Sequence, residues 1–239
     1  AGHLLSFTGT DTIPAIMFME NYYNADIEKE MVGTSIPATE HSVMCAGGME
    51  DEIKTFSRLL DTYPTGILSV VSDTWDLWKV CTEHVVTLKE KILVRDGKLV
   101  IRPDSGDPVD IICGIDDYIQ NDDGTLYSVR YTSGMFRDRN KKITVSEQKG
   151  VIELLWDIFG GTTNEQGYKV LDPHIGAIYG DSITLDRQEE IYTRLEAKGF
   201  AATNIVLGVG SFTYQYNTRD TLGLSFHNCE PPYTVMYIE

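Results

Sequence analysis

Acidic side chains stand at the ends of three short apolar runs of the sequence. Asp73 ends SVVSD, Asp104 lies in VIRPDSGD, and Asp181 lies in IYGDS. If the runs are parallel strands, their carboxyl ends meet along one edge of a sheet, and the three carboxylates converge there. Carboxylates accept hydrogen bonds from hydroxyl groups, so the pattern indicates a ligand rich in hydroxyls.

Glycines follow a fourth apolar run, LGVGS. Gly208, Gly210 and Ser211 would present bare backbone N–H groups at the same edge, which suits a phosphate group. A single Gly-x-Gly is a weak signal. Four run ends of the same character together favour a phosphorylated, sugar-like ligand.

Two further candidates lie in short polar motifs. His41 in SIPATEHS follows Glu40 and has hydroxyl residues nearby, so it is a candidate for proton or group transfer with Glu40 orienting it. The same spacing fits a capped helix start with a partly buried histidine equally well. Asp11 in GTDT is a candidate ligand contact, but a turn or a helix N-cap explains it as readily.

The elements that must position these residues are read from hydrophobic periodicity. The four apolar runs are continuous rather than alternating, which is typical of strands buried on both faces of a parallel sheet. They cover residues 66–73, 98–106, 175–181 and 204–211. Helical spacing marks the segments 50–62, 74–85, 147–159 and 184–198. Thr184 is placed to cap the last helix and Gly199 to end it. Alternating strands and helices predict an α/β fold.

One polar stretch interrupts this rhythm. Residues 120–144 contain Asp-Asp-Gly followed by an alternating Leu-Tyr-Ser-Val run. This predicts an inserted hairpin or excursion at the periphery, and a surface loop fits equally well.

Composition excludes several classes of protein. The 239 residues carry a net charge of −16, so we expect no nucleic-acid partner, because few cations are available to neutralise a phosphate backbone. No apolar run reaches the length of about 18 residues typical of a membrane helix, so we expect no membrane partner. The four cysteines have no Cys-x-x-Cys spacing, which favours free thiols in a reducing cytoplasm.

Taken together, the motifs resemble those of nicotinamide phosphoribosyltransferases, in the nicotinate/nicotinamide phosphoribosyltransferase family of type II phosphoribosyltransferases. The shared motifs are FTGTDT, SIPATEHS, SVVSDTWD, VIRPDSGDP, YGDSI and GVGSFTYQYNTRD. The resemblance covers residues 1–226 outside the 120–144 insertion. It implies a phosphoribosyltransferase α/β core over 1–226, built as a partial (β/α) barrel, and a homodimer with active sites at the subunit interface.

The resemblance also implies a reaction. Enzymes of this kind are pentosyltransferases that join nicotinamide to phosphoribosyl pyrophosphate in NAD biosynthesis, giving nicotinamide mononucleotide and pyrophosphate. Mg²⁺ accompanies the pyrophosphate. ATP can be coupled through transient phosphorylation of a histidine, which here corresponds to His41.

Site roles follow from the matched motifs. Asp11 corresponds to the acid that accepts a hydrogen bond from the carboxamide, which favours nicotinamide over the anionic nicotinate. Arg102 corresponds to the arginine near the pyridine ring, and Asp104 and Asp181 to the acids around the ribose. The remaining assignments fall into four groups. They are Ser35 and Ser69 in the base pocket; Gly180, Gly208, Gly210 and Ser211 at the 5-phosphate; Arg219 on the diphosphate side; and Asp73 and Glu40 as supporting acids.

The sequence departs from the family pattern in three places. The N-terminal portion that carries a stacking aromatic residue is absent, and His227 stands where the family has a lysine. Residues 227–239 form a tail that diverges from the family's continuation. We therefore expect a fragment. Two alternatives stay open: a non-catalytic remnant that binds phosphoribosyl ligands or dimerises, and a relative that uses nicotinate.

Overall fold

The computed structural model describes residues 2–10, 12–129 and 141–209, together with the backbone of two strands near the C-terminus. Within this part, four parallel strands form the central sheet. They are β1 (Thr65–Val71), β2 (Asp96–Arg102), β8 (Ile175–Tyr179) and β9 (Ile205–Leu207), in the spatial order β1-β2-β8-β9. All four lie within the runs that continuous hydrophobicity predicts or begin one or two residues before them. This confirms an α/β fold with a parallel central sheet.

The sheet continues past β1 through single parallel bridges. Ala38 pairs with Ser69, where the Thr39 N–H donates to the Ser69 carbonyl at 3.0 Å. Thr34 pairs with Gly9 in the same sense. The segment between Thr34 and Thr39 therefore runs along the free edge of β1. It leads directly into the helix that begins at His41.

Helices join and cover the strands. In chain order they are α1 (Ile13–Tyr23), α2 (His41–Gly47), α3 (Glu52–Thr62), α4 (Leu77–Lys79), α5 (Val85–Thr87), α6 (Lys89–Leu93), α7 (Pro108–Cys113), α8 (Val145–Lys149), α9 (Val151–Phe159) and α10 (Leu185–Ala197). A π-helical turn, Val80–His84, joins α4 to α5, and short 3₁₀ helices cover Gly2–Leu5 and Ala202–Asn204. None of the helices in the described part is long and apolar enough to cross a membrane.

Local signals explain where helices begin and end. The Thr184 hydroxyl accepts from the Arg187 N–H and caps α10, as predicted. Gly199 follows α10 with a φ of 75°, a conformation that glycine adopts without strain. Before α7, the Asp107 carboxylate accepts from the N–H groups of Val109 and Asp110. That cap ends the loop of the RPDSGD motif.

The main hydrophobic core lies between the sheet and its helices. The apolar stripe of α3 faces this core, with Phe56 and Leu60 buried and Ile53 and Leu59 packed beside them. Cys81 and Cys113 are buried in the same core, whereas Cys45 on α2 is exposed. Burial raises the pKa of both core thiols to about 12, so they are held in the uncharged form.

Smaller sheets lie outside the central one. β3 (Tyr118–Gln120), β4 (Leu126–Ser128) and β5 (Lys141–Ile143) form an antiparallel sheet in the region predicted as an insertion. β6 (Gly161–Thr163) and β7 (Lys169–Leu171) form a hairpin. β10 (Leu224–Asn228) pairs with β11 (Thr234–Ile238). β10 runs across residue 226, where the sequence predicts that the core ends. That predicted domain boundary stays a prediction.

Candidate functional site

Three loops meet at the carboxyl end of the central sheet. Asp73 lies two residues after β1, Asp104 two residues after β2, and Asp181 two residues after β8. Gly208 follows β9 directly. Parallel strands with buried faces place their carboxyl ends along one edge, which is why the polar ends of four apolar runs are neighbours here.

Asp73 holds the loop that carries Asp104. One oxygen of Asp73, Oδ2, accepts from the Asp104 N–H at 2.8 Å and from the Ser105 hydroxyl at 2.6 Å. The Asp73 side chain is only 5% exposed, so these bonds are shielded from water. Its other oxygen, Oδ1, is buried and has no hydrogen-bond partner among the described residues. Asp73 therefore holds the Asp104 loop in place, and its role in the reaction stays a prediction.

His41 lies against this pair of acids. Its Nε2 is 3.6 Å from Asp104 Oδ2 and 3.9 Å from Asp73 Oδ1. Its Nδ1 is 3.2 Å from the Thr74 hydroxyl. The histidine is the first residue of α2, and its side chain is 47% exposed. The ring is therefore open to a ligand and is contacted at both nitrogens.

Arg102 connects the histidine segment to β2. Its guanidinium donates from Nη1 to the Thr39 carbonyl at 3.2 Å and lies 3.5 Å from Glu40 Oε1. Nη2 is 3.8 Å from Asp104 Oδ2. Glu40 thus pairs with Arg102. The expectation that Glu40 orients His41 stays a prediction.

Tyr179 lies beneath this edge of the sheet. Its side chain is fully buried, and its hydroxyl donates to the Gly106 carbonyl at 3.0 Å. Burial raises its pKa most, and the charges of four aspartates, Asp181, Asp73, Asp104 and Asp107, raise it further. The phenol therefore stays protonated and keeps donating to the loop.

The loop after β8 is held in a less common conformation. Ser182 has a φ of 54°, in the left-handed region that few non-glycine residues adopt. Its hydroxyl donates to Asp181 Oδ2 at 2.9 Å, and its carbonyl accepts from Arg187 Nη1 at 2.5 Å. Such backbone conformations persist where neighbouring contacts hold them, and here those contacts fix the Asp181 side chain.

Gly180 and Gly208 come close together at the same edge. A Cβ added to Gly208 would lie 3.0 Å from the Gly180 Cα, and the Gly208 N–H donates to the Tyr179 carbonyl. Only glycine at position 208 leaves the two backbones this close without a shift. Because its N–H is already bonded, Gly208 offers a ligand close approach of bare backbone and not a donor, and its expected role at the 5-phosphate stays a prediction.

The two serines predicted for the base pocket differ in setting. Ser69 is a buried residue of β1, and its hydroxyl has no hydrogen-bond partner among the described residues. Ser35 is exposed on the edge segment between Thr34 and Ala38. A buried hydroxyl without a partner is uncommon in folded proteins, and a bound ligand is one group that satisfies it.

The structure thus brings together His41, Arg102, Asp104 and their supporting acids Asp73 and Glu40. Asp181, Gly180 and Gly208 share the same edge of the sheet. Four candidates lie outside the described residues: Asp11, Gly210, Ser211 and Arg219. Their predicted roles stay predictions.

Sequence reasoning missed three contributors to this site: Thr74, Ser105 and Tyr179. Thr74 and Ser105 directly follow the two aspartates already singled out, so their positions offered a signal. Tyr179 offered none, because within the run IGAIY it has the character of an ordinary strand residue.

The described residues contain no group of three or more His, Cys, Asp or Glu side chains that could hold a metal ion. Mg²⁺ is often bound through substrate phosphates and only one or two carboxylates. The carboxylates at the edge of the sheet fit this way of binding Mg²⁺, and Asp181 is the exposed one among them.

Comparison with known proteins agrees with the motifs. The chain is 51% identical over 231 residues to a nicotinamide phosphoribosyltransferase of Acinetobacter baylyi, covering 94% of the chain and 41% of that relative. It is 39% identical to the nicotinamide phosphoribosyltransferase of Mycoplasma pneumoniae, with 94% and 42% covered. The chain therefore spans about two fifths of the length of these curated relatives.

A sequence model of the nicotinate phosphoribosyltransferase (NAPRTase) family matches residues 1–236, nearly the whole chain. The match extends ten residues past the end of the motif resemblance at 226. With motifs, sheet order and site geometry in agreement, the chain belongs to the nicotinate phosphoribosyltransferase family.

Proposed function

We propose that this chain supplies much of the active site of a nicotinamide phosphoribosyltransferase. The enzyme makes nicotinamide mononucleotide and pyrophosphate from nicotinamide and phosphoribosyl pyrophosphate, a step of NAD biosynthesis. The observation that carries the proposal is the cluster of His41, Arg102, Asp73 and Asp104 at the carboxyl end of the sheet. The relatives bearing this name support the choice of substrates.

The chemistry of the transfer suits this cluster. The C1–O bond of the ribose breaks and its electron pair leaves with pyrophosphate, while the pyridine nitrogen of nicotinamide forms the new bond to C1. Positive charge develops on the ribose ring, and the carboxylates of Asp104 and Asp181 stabilise it. Arg102 orients the base beside the ring, and Ser35 and Ser69 line the base pocket.

Anionic parts of the substrate need other partners. Gly180, Gly208, Gly210 and Ser211 hold the 5-phosphate; Gly208 contributes close approach of the backbone, because its own N–H is bonded to the Tyr179 carbonyl. Arg219 faces the diphosphate. Mg²⁺ supplies positive charge that stabilises the leaving pyrophosphate when it is bound. Asp11 accepts a hydrogen bond from the carboxamide and repels nicotinate, which favours the amide substrate.

ATP enters through His41. A ring nitrogen attacks the terminal phosphoryl group of ATP, the bond to ADP breaks, and His41 carries the phosphoryl group until water removes it. The exposed edge of the ring leaves room for this exchange.

We further propose that the full-length protein is a homodimer in the cytoplasm. We also propose that its sheet closes into a complete (β/α) barrel, to which the edge segment beside β1 contributes a further strand.

The test uses the protein in its natural full length. Formation of nicotinamide mononucleotide is measured with nicotinamide, phosphoribosyl pyrophosphate and Mg²⁺, with and without ATP, and nicotinate is added as a competitor. We expect transfer from nicotinamide, stimulation by ATP and no product from nicotinate. Product from nicotinate would identify a nicotinate-using relative. Ligand binding without turnover would identify a non-catalytic binding protein and overturn the proposal.

A matched pair of variants ties the activity to the site. His41→Ala should remove the stimulation by ATP and leave some basal transfer, because the histidine carries the phosphoryl group rather than the ribose. Lys54→Ala should change neither, because the exposed Lys54 on α3 pairs with Asp51, just before that helix. Full stimulation by ATP in His41→Ala would reject the role of this histidine.

A further inference from the structure

The ring of His41 has a different kind of neighbour at each nitrogen. Nδ1 faces the Thr74 hydroxyl at 3.2 Å, whereas Nε2 faces two carboxylate oxygens, from Asp104 at 3.6 Å and from Asp73 at 3.9 Å. A hydroxyl can donate or accept a hydrogen bond, but an ionised carboxylate can only accept. The two sides of the ring therefore place unequal demands on the position of its proton.

The carboxylate side favours a proton on Nε2. Asp73 Oδ1 is buried without a hydrogen-bond partner among the described residues, so a nearby N–H is the group that it lacks. In a neutral imidazole, a proton on Nε2 leaves Nδ1 as an acceptor. The Thr74 hydroxyl then has to donate, and its single proton fits the lone pair of Nδ1.

Thr74 is well placed to fix the ring as well as its tautomer. It follows Asp73 directly in the loop after β1, and Asp73 is anchored by its bonds to Asp104 and Ser105. His41 begins α2 on a different segment, and the contact joins residues 33 positions apart in the sequence. The hydroxyl thus links the start of α2 to the anchored loop.

We propose that Thr74 is a positioning residue that holds His41 in the Nε2–H tautomer, with Nδ1 as the acceptor. The consequence concerns which nitrogen can react. In this tautomer the free lone pair of the ring is on Nδ1, so Nε2 can become a nucleophile only after the proton has moved from Nε2 to Nδ1. This last consequence rests on the proposed function, whereas the tautomer itself does not.

Nitrogen-15 NMR of the histidine-labelled protein tests the tautomer directly, at a pH where the ring is neutral. His41→Gln identifies the signals. We expect Nδ1 of His41 at the unprotonated extreme and Nε2 at the protonated extreme. In Thr74→Val both signals should move toward the average of the two tautomers, and in Thr74→Ser they should return. Thr82→Val is the matched control, because the exposed Thr82 hydroxyl donates to the Trp78 carbonyl one helical turn earlier.

Two results would overturn the proposal. One is a wild-type spectrum with the proton on Nδ1. The other is an unchanged tautomer in Thr74→Val, which would assign the whole effect to the carboxylates. The wild-type spectrum alone decides the first point even if Thr74→Val fails to fold. If the tautomer behaves as expected and no nicotinamide mononucleotide forms, the proposed function fails and this inference stands.

A second measurement links the ring to chemistry. If His41 accepts the phosphoryl group at Nε2, Thr74→Val should raise the rate of its phosphorylation by ATP by about fivefold, because the loss of one hydrogen bond increases the population of the tautomer with a free lone pair on Nε2. Thr74→Ser should restore the rate. A fall in rate that the serine variant does not restore would indicate a packing defect instead of a lost hydrogen bond.

Discussion

The two oxygens of Asp73 have separate tasks. Oδ2 holds the Asp104 loop, and Oδ1 faces His41 and has no hydrogen-bond donor in the part of the chain that the structure describes. An asparagine at this position can keep an acceptor for the loop but loses the negative charge toward the histidine. Charge and structure at this residue can therefore be separated experimentally.

We predict that Asp73→Asn keeps the fold but impairs phosphorylation of His41, whereas Asp73→Ala also loses stability. The alanine leaves the Asp104 N–H without its buried acceptor, which costs about 1–3 kcal/mol. Thermal unfolding and the incorporation of labelled phosphate from ATP measure the two effects. Asp61→Asn serves as the control, because Asp61 is largely exposed and pairs with Lys91. Equal losses of stability in both Asp73 variants would refute the separation.

At the scale of elements, one hydroxyl joins the edge segment to β1. Thr39 is buried, and its Oγ1 accepts from the Val71 N–H at 2.9 Å, while its own N–H donates to the Ser69 carbonyl. Its carbonyl accepts from Arg102. Thr39 therefore aligns β1, β2 and the start of α2 at the site.

Thr39→Val should lower the free energy of unfolding by about 1–3 kcal/mol, because the buried Val71 N–H loses its acceptor while the side-chain volume is kept. For a domain of this size, that is a fall in Tm of about 2–4 °C per kcal/mol. Thr62→Val removes an exposed hydroxyl that bonds within α3 and should change Tm little. A Tm for Thr39→Val equal to that of Thr62→Val would contradict the role assigned to Thr39.

A second link between elements is a buried acid–base pair. Glu52 at the start of α3 is 2% exposed, and its Oε2 lies 3.3 Å from His84 Nε2 in the π-helical turn. Burial raises the pKa of Glu52 to about 7, with Lys79 lowering it and Asp76 raising it to smaller extents. Burial likewise lowers the pKa of His84. Both groups therefore prefer their neutral forms in the folded protein.

The two shifts act on stability in opposite directions. Glu52 binds a proton in the folded state that the unfolded chain releases above its ordinary pKa of 4.5, so its contribution is lost as pH rises through about 7. Below pH 6.5 the unfolded chain binds a proton at His84 that the folded protein does not bind. The contribution of His84 to the free energy of unfolding is therefore lost as pH falls. Between pH 4.5 and pH 6.5 the two effects oppose each other, and from pH 6.5 to about 7 only the loss from Glu52 remains.

Glu52→Gln isolates the first effect. The variant cannot ionise, so the decline in its free energy of unfolding between about pH 5 and about pH 8 should be smaller than that of the parent protein. Denaturant unfolding across this range measures the difference. Glu83→Gln, at an exposed position on the same π-helical turn, is the comparison. Parallel pH profiles for the parent and Glu52→Gln would show that Glu52 keeps its ordinary pKa.

At the scale of the whole molecule, the parallel sheet and the convergence of its polar ends could be predicted from the sequence. Continuous apolar runs identify buried strands, and the rule for parallel strands then places Asp73, Asp104 and Asp181 together. The bridge from Ala38 to Ser69 could not be predicted, because parallel pairing between distant segments leaves no local pattern. The π-helical turn at Val80–His84 was likewise hidden, since its residues fit an α-helix equally well.

The part of the chain before the edge segment between Thr34 and Thr39 exposes many large apolar side chains. They are Leu5, Phe7, Ile13, Met17, Phe18, Tyr22, Tyr23, Ile27 and Met31. A surface of this kind is typical of a contact with another protein surface.

This apolar surface supports the proposed homodimer. Sedimentation of the full-length protein carrying Met17→Glu tests whether the surface forms the dimer contact. We expect the variant to shift toward monomer, and an unchanged dimer would place the interface elsewhere.

The cysteines within the described part differ in accessibility, so their rates of reaction report how the folded core opens. The exposed Cys45 should react with a thiol reagent at once, whereas Cys81 and Cys113 react only when the core around them separates. Cys81 lies at the π-helical turn, and the Cys113 thiol donates to the Ile191 carbonyl of α10. The order in which the two become labelled would therefore show whether the core opens first at the π-helical turn or at the contact between α7 and α10.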